Sequence, residues 1–189
     1  MSTAEAVRAL LKAAEPNTYD REGLSETPER AAKAWDFFTS GYDVDIGGLF
    51  KSFEDGAEKY NGIVAVGNIP VYSKCEHHLE TIWGVATVGY LPRNRVVGLS
   101  KLARVVDAFS RRLQVQERLT SQIAAALETS LDRPMGVGVV LHCRHMCMES
   151  RGVQVRGTIT TTSSMLGEFL TKPSLRQEFM HLAVPPATL

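Results

Sequence analysis

Four consecutive residues, Cys75, Glu76, His77 and His78, place a thiol, a carboxylate and two imidazoles in a stretch that adds nothing to a hydrophobic core. Cys75 and His78 stand in a C-x-x-H spacing, which lets one tight loop present a thiolate and an imidazole to a single ion. Two ligands are too few to hold it. A second cluster, "HCRHMCM" from His142 to Met148, reads as a strand with side chains alternating between faces, so Cys143, His145 and Cys147 share one face and His142 points the other way. Such a strand could complete a tetrahedral zinc site begun by Cys75 and His78. Neither half carries four ligands, and three protein ligands with one open position is the catalytic arrangement of zinc. Cys143 by itself reads more readily as a small buried hydrophobe.

Two helix starts add polar groups. "GLSKLAR" has Ser100 as the expected cap, with Lys101 and Arg104 within the next turn. Helix N–H groups joined by two cations make an anion site, the alternative being a solvated basic face. "QVQERL" puts Gln116 and Glu117 near the start of the following helix. A carboxylate there either complements the helix dipole or accepts two hydrogen bonds from a donor pair such as N1–H and the 2-amino group of guanine.

The elements that must position these groups can be read along the chain. "AEAVRALLKAAE" has helical spacing, and "SETPERAAKAWDFF" is a helix start with Thr27 as N-cap and Pro28 at the first helical position. The Gly- and Asp-rich "GYDVDIGGLFKSFEDGAEKYNG" has no sustained period and reads as a connector. The expected division is therefore a helical arm and connector over 1–60 and a catalytic domain over 61–189. In the latter, "IVAVGNIPVY" and "VATVGYLP" read as strands, and "SKLARVVDAFSRRL" and "VQERLTSQIAAALETSL" as helices. "MGVGVVLHCRHMCM" and "GVQVRGTITTTSS" return to strands, and "LRQEFMHLAV" closes as a helix. The order predicts an α+β layer, an antiparallel sheet carrying two helices on one face.

A chain of 189 residues with 44% hydrophobic and 22% charged content is globular and long enough to bury a real core. Lys+Arg 21 balance Asp+Glu 21, which argues against a general nucleic-acid binder, because that affinity rests on excess cations. Three cysteines, an odd number, make a disulfide framework improbable and favour metal or catalytic use. There is no apolar run of membrane-spanning length, and "MSTAEAVRALLKAAE" is unlike a signal peptide, so the expected location is the cytoplasm, with no membrane partner.

In combination, "SKCEHHLETIWGVATVGYLP", "VVGLSKLARVV", "QVQERLTSQIAAAL" and "HMCMESRGV" resemble GTP cyclohydrolase I, in that family's order and spacing, from Thr27 to the C-terminus. The resemblance implies a tunnelling-fold subunit, a four-stranded antiparallel sheet with two helices on one face, preceded by a helical arm. It implies assembly into a toroidal homodecamer with active sites at subunit interfaces. The implied reaction takes GTP and water to 7,8-dihydroneopterin triphosphate and formate, the first step of pterin and folate-type biosynthesis. By similarity, Cys75, His78 and Cys147 hold Zn2+, whose water attacks C8 of the guanine ring, and His145 protonates N7. His77 resembles a second histidine near the sugar and phosphates, and Glu117 anchors the guanine edge with Gln116 beside it. Ser100, Lys101, Arg104 and Arg151, with Arg30 and Lys33 of "TPERAAK", hold the triphosphate or ribose. Two alternatives compete: a 7-cyano-7-deazaguanine reductase on the same fold, which lacks catalytic zinc, and a non-enzymatic module with structural zinc. Under the second, the spare histidines His77 and His145 have no purpose.

Overall fold

Alternation of buried and exposed residues along "IPVYSKC" is the pattern of a strand with one covered face: Ile69, Val71, Ser73 and Cys75 point inward while Pro70 and Tyr72 stay exposed. A computed structural model shows how the chain meets that demand, describing residues 1–50, 52–53, 60–93, 95–131 and 133–185. It divides into two compact units, Met1–Ser40 and Gly41–Leu189. The connector expected within 1–60 thus counts with the second unit from Gly41 onward, part of it lying outside the described residues.

The first unit is two helices, α1 (Thr3–Ala14) and α2 (Thr27–Thr39). Ser2 and Glu5 form a capping box at the start of α1, satisfying two backbone N–H groups that the helix leaves open. Thr27 is the first residue of α2 and not its cap; Glu26 occupies that place without a side-chain bond, and Pro28 sits in the first turn, where its missing N–H costs nothing. Arg8 and Glu29 join the two helices at 3.0 Å.

In the second unit, β1 (Ser52–Phe53) pairs antiparallel with β4 (Val96–Val97). The main sheet comprises β2 (Val64–Cys75), β3 (Thr81–Leu91), β5 (Leu113–Gln114), β6 (Gly136–His145) and β7 (Thr160–Gly167), in the order β5-β2-β3-β6-β7. The four long strands are antiparallel, as the sequence predicts; the short β5 adds a parallel pairing to Lys74 and Cys75. Helices α3 (Leu99–Ser110) and α4 (Gln116–Ser130) cover one face, where Val71, Val139 and Leu141 meet Leu102, Val105, Leu119 and Ile123 in the main core. Gly98, not Ser100, occupies the position before α3, and no side chain caps it.

The other face is also partly covered, which the strand-and-helix order did not predict. Following β7, α6 (Glu168–Thr171) and α7 (Pro173–Leu182) bring Phe169 and Phe179 against Val140 and Met165. Gly89 and Gly138 are register partners, and a Cβ on either would stand 2.5–2.6 Å from the Phe179 ring. Two missing side chains thus make the socket that fixes α7. No helix among the described residues is long and apolar enough to cross a membrane.

Candidate metal centre and active site

At the C-terminal end of β2 the chain makes a tight turn. Leu79 and His78 donate their N–H groups to the Cys75 carbonyl at 2.7 and 3.4 Å, and Cys75 N–H donates to Glu80 O at 2.8 Å. Leu79 takes a positive φ of 58°, a conformation that a branched side chain adopts only when its surroundings impose it. Glu76 ties the turn to α4 through Arg118, whose Nη1 donates at 3.3 Å and whose Nη2 makes a second, shorter bond. That contact holds the Glu76 carboxyl below its ordinary value.

The second half comes from the end of β6, and here the expected strand is too long. It stops at His145, and Met146–Glu149 form one helical turn, α5. Cys147 therefore reaches the site from a turn and not from a strand face. Cys143, on the strand, is 0% exposed within the core, and burial pushes its thiol up to about 12, so it is inert.

The ligand atoms of Cys75, His78 and Cys147 lie within 4.8 Å of one another, with Cys75 Sγ 3.8 Å from His78 Nδ1. Metal–sulfur and metal–nitrogen bonds of about 2.3 and 2.0–2.1 Å in a tetrahedron separate ligands by roughly 3.6 Å, so this spacing fits a metal ion. Burial and the neighbouring Cys75 raise the Cys147 thiol, while Arg151 opposes them. Two thiols so close cannot both ionise comfortably unless a cation lies between them, which is what the donor set suits.

His145 sits two residues before Cys147, half-buried, with Nε2 2.7 Å from Gln116 Oε1. Gln116 is 1% exposed, and its amide nitrogen lies 2.9 Å from the Thr160 carbonyl, 3.1 Å from Thr162 Oγ1 and 3.4 Å from the Leu141 carbonyl. Carbonyls only accept, so the nitrogen belongs on that side and Oε1 faces His145. His145 must then donate from Nε2, leaving the lone pair of the neutral ring on Nδ1. Burial lowers the pKa of His145, and the nearby Glu117 carboxylate pulls it upward. Gln116, expected beside Glu117 at the guanine edge, is thus buried, with both polar atoms of its side chain hydrogen-bonded inside the protein.

Glu117 is exposed; its backbone carbonyl accepts from Ser121 Oγ at 3.0 Å, and its carboxylate makes no hydrogen bond or ion pair among the described residues. His77 is exposed, edge-on to His78 at 6.2 Å and 3.9 Å from Glu76. Arg151 is exposed in the segment after α5. Ser100, Lys101 and Arg104 do not join this group. The start of α3 follows β4, whose Val97 N–H donates to Tyr90 Oη, and Tyr90 pairs with Val64 at the beginning of β2. The end of α3 leads to Arg112, whose carbonyl accepts from Ser73 near the end of β2. The helix runs along β2, and its 12 residues span about 18 Å. Ser100 and Lys101 thus lie in the first turn, at the end of the helix away from the Cys-His-Cys cluster, and Arg104 lies at its middle. Arg30 and Lys33 are exposed on α2 of the first unit, Arg30 paired with Glu26.

One buried acid near the cluster escaped the sequence reading. Glu149, at the end of α5, has a side chain only 6% exposed and is gripped by Arg144, whose Nε donates at 2.7 Å and whose Nη2 makes a second, shorter bond. Four intervening positions and a change from strand to turn hid the pair from any periodicity.

A family model described as GTP cyclohydrolase I matches residues 3–184. GTP cyclohydrolase 1 of Janthinobacterium sp. (strain Marseille) is 58% identical over 164 residues, 87% of this chain and 82% of that one. The protein of the same name from Nitrosospira multiformis is 55% identical over 163 residues, 86% of this chain and 85% of that one. Among solved structures, the apo form of an archaeosine synthase described as QueF-like superposes with a TM-score of 0.48 at 17% identity, over 58% of this chain and 97% of that one.

Proposed function

The chain belongs to the GTP cyclohydrolase I family, and on that premise we propose that it converts GTP and water to 7,8-dihydroneopterin triphosphate and formate, with zinc held by Cys75, His78 and Cys147. The observation that carries the reading is the convergence of those three ligand atoms within 4.8 Å, two residues from a histidine held in one tautomer by a buried amide. Zinc, when bound, supplies a Lewis acid that makes water a nucleophile near neutral pH, here directed at C8 of the guanine ring. His145 handles protons at Nδ1, because its Nε2–H is committed to Gln116. Burial favours the neutral ring, so its Nδ1 lone pair is free to take the proton that the attacking water gives up as its oxygen bonds to C8, and to pass it to N7 as the imidazole ring of guanine opens. Glu117, whose carboxylate oxygens have no hydrogen-bond partner among the described residues, accepts from N1–H and the 2-amino group. His77 serves near the ribose and phosphates, and Arg151 contributes a charge to them.

Ser100, Lys101 and Arg104, the expected triphosphate contacts, act in a neighbour's site, because about 15 Å of helix separates Ser100, and about 9 Å separates Arg104, from the end of α3 nearer the cluster of their own chain. Arg30 and Lys33 of α2 also belong to this phosphate-binding set. Among the described residues, β7 and most of β2 present unpaired edges, which strand pairing around a ring of subunits removes. The assembly we propose is therefore the toroidal decamer of tunnelling-fold subunits, with each site shared between chains. Incubating the zinc-loaded protein with GTP, then identifying the pterin by mass and by fluorescence after oxidation, tests the reading. Release of formate is expected, and its absence with stoichiometric zinc and intact GTP would overturn it.

A further inference from the structure

Cys147 is carried by a single helical turn of four residues, α5, whose start has no side-chain cap. A turn that short has no stability of its own, so something outside its backbone ladder must fix where the thiol points. Ser150 closes the turn by donating its N–H and Oγ to the Met146 carbonyl at 2.8 and 2.7 Å. The longer-range restraint is the Glu149 carboxylate. It reaches back five residues to the Arg144 guanidinium, closing a ring in whose middle Cys147 lies. The same carboxylate accepts from Gly157 N–H at 3.4 Å, closing a second ring that contains Arg151. Arg144 is itself held: its register partner on β3 is Trp83, and the guanidinium lies 4.9 Å over the Trp83 ring.

We propose that Glu149, through Arg144 and Trp83, is the positioning residue that holds Cys147 in ligand geometry and fixes the segment bearing Arg151. This rests on the zinc reading of Cys75, His78 and Cys147, but not on what is done to GTP. A surface ion pair of two long side chains would position little. This pair differs because the planar fork is bidentate, the acid is nearly excluded from water, and the cation is stacked on a ring in the sheet. The rigid strand is therefore extended, by way of one carboxylate, to a turn that otherwise hangs from the strand end. Groups that orient metal ligands from outside the coordination sphere typically contribute roughly 10–100-fold to metal affinity.

The test measures zinc affinity by chelator competition on metal-free protein carrying Glu149→Ala, Arg144→Met or both, alongside the thiolate-to-cobalt charge-transfer band of the cobalt-loaded forms. Each single variant should bind zinc about tenfold or more weakly than the parent, with a weakened charge-transfer band. The double variant should be no worse than either single, since both remove one interaction. Glu149→Gln keeps the shape and should fall between, and it replaces Glu149→Ala should the latter fail to match the parent's metal-free melting curve. Zinc affinity within about twofold of the parent in Glu149→Gln and Arg144→Met, with an unchanged cobalt spectrum, would overturn the proposal, as would additive losses in the double variant. Neither readout needs GTP turnover, so failure of the cyclohydrolase reading and failure of this one are distinguishable.

Discussion

Replacing Gln116 with leucine should slow turnover far more than it loosens the fold, and the structure gives both magnitudes. The substitution removes the acceptor 2.7 Å from His145 Nε2 and the amide N–H groups that serve Thr160 O, Thr162 Oγ1 and Leu141 O. Thr162 Oγ1 keeps Thr120 Oγ1 at 2.6 Å, and the 3.4 Å contact to Leu141 is the weakest, so the Thr160 carbonyl is the main orphan. Leaving one buried acceptor unsatisfied costs about 1–3 kcal/mol. For a unit of this size that lowers the melting temperature by roughly 2–12 °C. Catalysis should suffer more: without the amide oxygen, the neutral ring can place its proton on either nitrogen and rotate, and the contribution at stake is roughly 10² to 10⁴ in rate. Zinc content should not change, because Gln116 touches none of the three ligands. Turnover is measured with GTP, the tautomer by 15N shifts of the imidazole in the parent. A Gln116→Leu protein that turns over within about threefold of the parent, or a parent ring whose lone pair is on Nε2, would refute the reasoning.

Other outcomes follow from the same geometry. Cys147→Ser should lose about one equivalent of zinc together with activity, because a three-ligand site cannot spare one, whereas Cys143→Ser, altering a thiol sealed in the core, should keep its metal; elemental analysis of both proteins decides. Glu117→Ala should weaken GTP binding by roughly tenfold or more at unchanged zinc content, with ATP no substrate for the parent, since adenine presents an acceptor at N1 where the carboxylate needs a donor; titration calorimetry measures this. Light scattering should find a particle many times larger than a 20.8 kDa monomer, and an active monomer would remove the argument that the α3 cations serve a neighbouring site.

The parts of the fold legible in the sequence were those whose residues alternate or recur at fixed period. Ile69, Val71, Ser73 and Cys75 face inward at every second position, and Leu119, Ile123 and Leu127 recur at every fourth, so β2 and α4 could be drawn from the letters. What failed has a different origin. Thr27 and Ser100 have the chemistry of caps, but neither side chain performs it, since Glu26 and Gly98 hold the preceding positions. The cover of the second face depends on a socket formed by Gly89 and Gly138, which meet only through a register that pairs residues 49 positions apart. No local window contains that pairing.

The site divides along the same line. A possible metal site was legible in outline, because a C-x-x-H turn and a second Cys/His cluster name one by composition, whereas the choice of Cys147 over Cys143 came from the family resemblance. Their supports were not, because a support is defined by what it touches. Gln116 has the same sequence neighbourhood whether it faces a purine or fills the core. Only the approach of β7, which puts Thr160 and Thr162 against its amide nitrogen, turns its oxygen toward His145. Glu149 was invisible for a related reason: as long as "HCRHMCMES" is read as one strand, Arg144 and Glu149 fall on opposite faces and cannot meet. Ending the strand at His145 and coiling the next four residues brings them together. The break that spoils the strand pattern is thus the feature that turns Cys147 toward Cys75 and His78, and the Arg144–Glu149 pair is what keeps the break in place.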